Sequence, residues 1–71
     1  MPDSVYKVIE VIGTSATSWE EAAKLAAEKV AGHLEDVRVA RVVEFDLRLD
    51  DNKVVLYRAR LKVSFKYHED A

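Results

Sequence analysis

Apolar and polar residues alternate most cleanly over residues 54–67. Val55, Tyr57, Ala59, Leu61, Val63, Phe65 and Tyr67 point one way; Arg58, Arg60, Lys62, Ser64 and Lys66 point the other. A period of two sends successive side chains to opposite faces of a strand, so this segment reads as a strand with one apolar and one charged face. Residues 37–49 repeat the pattern with one fault. Val37, Val39, Val43, Phe45, Leu47 and Leu49 share the apolar row, which Arg41 interrupts, while Arg38, Glu44, Asp46 and Arg48 form the charged row. Between the two runs, residues 50–53 read DDNK, a turn signal. Together they predict a long hairpin.

Keeping like faces together leaves two registers open. Pairing Leu49 with Val55 sets Asp46 opposite Arg58 and Glu44 opposite Arg60, and a shift by two sets Glu44 opposite Arg58. Either register opposes acids to bases, at roughly 0.2–1 kcal/mol per pair. Residues 5–13, VYKVIEVIG, are rich in β-branched and aromatic residues and predict another strand. Its two faces, Lys7, Ile9 and Val11 against Tyr6, Val8, Glu10 and Ile12, both carry apolar residues.

The period changes over residues 18–34. Trp19, Ala22, Ala23, Ala26, Val30 and His33 or Leu34 recur at spacings of three and four, with Glu20, Glu21, Lys24, Glu28 and Lys29 on the other side. That is an amphipathic helix, whose alanines permit close approach to a sheet. The predicted order is β-α-β-β in one α+β domain spanning residues 1–71. The third strand is central, the sheet is three-stranded and antiparallel, and the helix covers its apolar face.

Composition bears on how such a chain stands. At 71 residues a single copy has a small interior, and the absence of cysteine removes disulfides and thiolate-held metals. His33 and His68 lack metal-ligand spacing. Self-association is the remaining source of stability, and 49% hydrophobic residues suit it. A net charge of −2 spread over mixed signs does not resemble a nucleic-acid footprint. With no apolar run of spanning length and no opening signal peptide, a cytoplasmic protein is expected. Nothing resembles a converging nucleophile–base set, so no enzyme is expected.

The link "IGTSATSWEEAA", residues 12–23, joins the first strand to the helix. Ser18 to Glu21 fits a capping box, and Thr17 to Glu20 fits one position earlier. Thr14 and Ser15 lie where an anion would meet the helix terminus. Glu20 and Glu21 already place negative charge there, and the loop lacks the glycines of a phosphate cradle.

"YKVIEVIGTSATSWEEAAKLAAEKV" resembles the opening of the dodecin family, and the likeness continues to "YRARLKVSFKY", covering nearly the whole chain. The resemblance implies a hollow homododecamer that holds flavins (FMN, FAD or riboflavin) at subunit interfaces, storing or sequestering them without catalysis. Flavin-binding members carry a stacking tryptophan early in the second strand, and that position falls on Val39. A glutamine that hydrogen-bonds the flavin ring falls on Arg58, and an acidic residue near the flavin's polar chain falls on Glu44. Val39, Glu44 and Arg58 are therefore the candidate flavin-contacting residues. Some dodecins are associated with divalent ions, so the alternative is a calcium- or magnesium-binding or purely structural shell. Glu44 and Asp46, two apart on the charged face, are its candidate oxygen ligands.

Overall fold

The computed structural model describes residues 4–66, so the expectations for Tyr67 and His68 lie outside it. The elements are β1 (Tyr6–Ser15), α1 (Trp19–Ala31), β2 (Val37–Asp50) and β3 (Lys53–Lys66). The sheet order is β1-β3-β2, with β3 central and antiparallel to both neighbours. This is the predicted topology.

The helix begins where its cap chemistry dictates. Ser18 has extended backbone angles, and its side chain accepts a hydrogen bond from the Glu21 N–H at 3.0 Å. Of the two caps left open by the sequence, the structure uses Ser18. Glu21 does not turn back to close the box. Its carboxylate instead accepts a hydrogen bond from the Ser15 hydroxyl at 2.8 Å, while Ser15 Oγ accepts from the N–H groups of Thr17 and Ser18 at 3.0 and 3.4 Å. Ser15 thus satisfies the link, which explains why it carries more hydroxyls than a cap needs. Ser15→Ala removes the acceptor for two N–H groups. Melting should show a loss of about 2 kcal/mol, within the range for partly buried groups left unpaired; an unchanged melting temperature would show that water replaces the hydroxyl.

The helix ends at Ala31, earlier than the expected Leu34, because Gly32 terminates it: the Gly32 N–H donates to Glu28 O at 3.1 Å and the His33 N–H to Val30 O at 3.0 Å. Two left-handed residues, Asp51 and Asn52, close the hairpin between β2 and β3. Two successive positive φ values match the twist of a tight hairpin, and Asp and Asn tolerate them best after glycine.

The helix packs on one face of the sheet, here called the inner face. Among the described residues, the buried hydrophobic core is Ala22, Ala26, Ala59, Leu61 and Val63, around which Ile9, Val11, Val37 and Ala40 pack. Only Leu61 and Val63 among them are large. The hairpin runs on past the helix as part of a body 54 × 19 × 17 Å in extent, and leaves Phe45, Leu47, Leu49 and Val54 exposed. Among the described residues, more large apolar side chains lie outside than inside.

The expectation for β2 is corrected as well. Residues of β2 do not share a single apolar row, because register shifts fall between Val37 and Val39 and between Val42 and Glu44. Each shift inserts an extra residue and inverts the alternation beyond it. Val37 pairs with Phe65, Ala40 with Val63, Val42 with Leu61 and Phe45 with Ala59, all on the inner face. Val39 pairs with Ser64 and Arg41 with Lys62, on the outer face. The fault at Arg41 marked this change of phase. A third shift, between Arg48 and Leu49, pairs Leu49 with Val54 and not with Val55.

Candidate functional site

Val39, Glu44, Asp46 and Arg58 all stand on the outer face of the sheet, as their pairing shows. The Arg58 guanidinium grips Asp46 with two hydrogen bonds, Nε to Oδ1 at 2.6 Å and Nη2 to Oδ2 at 3.0 Å. Next to it, Arg60 spans the sheet, donating from Nε to Glu44 at 3.1 Å and from Nη1 to Glu10 at 3.3 Å. The register is therefore the one that opposes Asp46 to Arg58 and Glu44 to Arg60. Both candidate metal-ligating carboxylates have arginine partners. Among the described residues, no group of three or more His, Cys, Asp or Glu gathers in one place. Calcium takes 6–8 oxygens, so two arginine-paired carboxylates do not make a complete calcium site in one chain.

The Arg58 hydrogen bond holds the Asp46 carboxyl below its ordinary pKa of 3.8. A carboxyl depressed in the folded state stabilises the fold fully above its unfolded pKa. That contribution is lost as pH falls through the folded value. Asp46→Asn should therefore lose less stability than the parent between about pH 5 and pH 2, as read by melting across that window. Parallel losses in the two proteins would show that the pair contributes nothing.

Val39 occupies a different part of the same face. Ser64, the smallest outward residue of β3 among those described, sits between Val8 of β1 and Val39 of β2. The short side chain leaves a trough. One hollow of about 290 Å³ is lined by Tyr6, Val8, Arg38, Val39 and Ser64, and an adjoining one of about 260 Å³ by Val8, Val39, Arg41, Lys62 and Ser64. Its walls are apolar and its rim is cationic. Tyr6, Val8, Arg38, Arg41, Lys62 and Ser64 were not picked out from the sequence as site residues; the broken alternation at Arg41 was their only local sign. Trp19 takes no part. It donates from Nε1 to the Asp46 carbonyl at 3.0 Å and packs against Phe45 and Tyr57, with ring centroids 5.6 and 5.2 Å apart.

The chain brings Glu44, Asp46 and Arg58 together but leaves Val39 apart from them. Val39 lies opposite Ser64, and six residues of β3, about 20 Å of strand, separate that level from Arg58.

The family model for dodecins matches residues 5–68. The chain belongs to the dodecin family. The calcium dodecin of Mycobacterium tuberculosis is 52% identical to it over 63 residues, 89% of each protein. The crystal structure of that protein, described as a calcium-chelating immunodominant antigen with a novel calcium-binding site, superposes with a TM-score of 0.83 at 48% identity. The match covers 96% of this chain and 97% of that one. The dodecin from Streptomyces coelicolor superposes with a TM-score of 0.89 at 26% identity, over 99% and 100% of the two chains. As a dodecin, the chain has the strand-helix-strand-strand order that its hydrophobic pattern predicts. No helix among the described residues is long and apolar enough to cross a membrane.

Proposed function

We propose that this dodecin is the subunit of a homo-oligomeric shell, twelve copies in the family's manner, that sequesters a small ligand between copies and performs no turnover. Two features support assembly. Among the described residues, the interior contains two large, fully buried side chains, Leu61 and Val63, and the projecting hairpin presents Phe45, Leu47, Leu49 and Val54 to its surroundings. Burying such residues against another copy recovers about 1.5–3 kcal/mol for each large side chain fully covered. The observation that carries the ligand reading is the outer face itself: Val39, Glu44 and Arg58 share it at levels too far apart for one chain to close around a ligand.

The leading ligand is a flavin, held with Val39, Glu44 and Arg58 among its contacts. The apolar trough and its cationic rim suit a planar, anionic molecule better than a metal ion. Titrating riboflavin or FMN at micromolar concentration should quench flavin fluorescence in the assembled protein, which should elute at the mass of twelve 8.0-kDa copies. A monomer at micromolar concentration would remove the shell from consideration.

The second reading is calcium, favoured by the name and crystal structure of the M. tuberculosis relative. Here Glu44 and Asp46 exchange their arginine partners for a shared ion, with oxygens from neighbouring copies completing its shell. Unquenched flavin, together with a melting temperature raised by calcium and lowered by a chelator, replaces the flavin reading with this one.

A further inference from the structure

We propose that Arg41 and Lys62, at the rim of the trough beside Val39, form a phosphate-binding pair for an aromatic ligand carrying a phosphate ester. This deepens the flavin reading and rests on it only for the aromatic part of the ligand.

Arg41 and Lys62 are direct cross-strand partners. Like charges placed opposite each other destabilise a sheet, and the two arginines of β3 on this face are relieved. Arg58 has Asp46, and Arg60 has both Glu44 and Glu10. Glu10 is the register partner of Lys62 on the other flank, yet its carboxylate goes to Arg60 at 3.3 Å. Neither Arg41 nor Lys62 forms an ion pair with another described residue. Two adjacent cations, neither paired with a described carboxylate, border an apolar trough, with the Ser64 hydroxyl as a further donor on its floor. A dianionic phosphate satisfies both charges through charge-assisted hydrogen bonds, while the body attached to it lies along Val8 and Val39.

Riboflavin and FMN differ by one phosphate, so calorimetric titration of the assembled protein with each isolates the effect. FMN should bind about tenfold more tightly than riboflavin, with the gap narrowing as salt rises. In the double variant Arg41→Gln with Lys62→Gln, the ratio of FMN to riboflavin affinity should fall to about one. Inorganic pyrophosphate alone should raise the melting temperature of the parent and not of the variant. Equal binding of the two flavins by the parent, or a preference that survives in the variant, overturns the proposal while leaving the flavin reading intact. Stabilisation by pyrophosphate without binding of either flavin keeps the phosphate site and removes the flavin reading. No response to flavin or to pyrophosphate removes both. A double variant that fails to assemble shows that carboxylates of another copy occupy the pair, and also overturns the proposal.

Discussion

Gly13→Val is expected to leave a chain that neither folds nor assembles. Gly13 lies on the inner face of β1 opposite Ala59, beneath the helix. A Cβ at this position would stand 2.2 Å from the carbonyl oxygen of Ala22 and 2.7 Å from the Ala26 Cβ. The first obstacle is main chain, which no side-chain rotation can clear. The helix would have to lift away from Ala22, Ala26 and Ala59, three of the five residues that form the buried core. Overpacking costs about 1–3 kcal/mol, occasionally more. The main-chain obstacle places Gly13→Ala near 3 kcal/mol on that scale, and valine beyond it. A small domain has about 0.05–0.15 kcal/mol of stability per residue, so the larger change exhausts it. Gly32 supplies the control. Its φ is −72° and the nearest atom to an added Cβ is 3.5 Å away, so Gly32→Ala should melt at or slightly above the parent temperature. Circular dichroism melts of the three proteins decide the matter; a Gly13→Ala protein as stable as the parent would falsify the packing argument.

Val39→Trp is expected to tighten flavin binding by at least about tenfold, equivalent to 1.4 kcal/mol. Val39 is 57% exposed at the edge of the trough, so an indole can be added without disturbing the core. Stacked aromatic rings contribute about 0.5–1.5 kcal/mol beyond the area they bury, and an indole buries far more than a valine. Fluorescence titration reads the affinity, and a sizing column confirms that the variant still assembles. An assembled variant with unchanged affinity places the flavin somewhere other than this trough.

Most of the architecture can be read from local chemistry. A period of two over residues 54–67 and of three to four over residues 18–34 identifies the central strand and the helix. DDNK closes the hairpin because Asp51 and Asn52 accept positive φ. Ser18 caps the helix because its hydroxyl reaches the Glu21 N–H. Charge opposition narrows the hairpin to two registers, of which the structure adopts the one that sets Asp46 against Arg58 and Glu44 against Arg60. These features depend on neighbours in sequence, or on two strands joined by one short turn, so the order of residues contains them.

The second strand is different. Its bulges arise from fitting β2 to β3 over a length of fourteen residues, and apart from the broken alternation at Arg41 no local preference marks where the extra residues fall. Alternation alone assigns Val39 to the apolar row; pairing with Ser64 turns it outward, onto the face of Glu44, Asp46 and Arg58. The same shift draws Arg41 level with Lys62 and lines the trough. Chain order therefore suffices for the elements and their sequence in space. The face each candidate residue occupies depends on long-range strand pairing, because one inserted residue reverses every side chain that follows it.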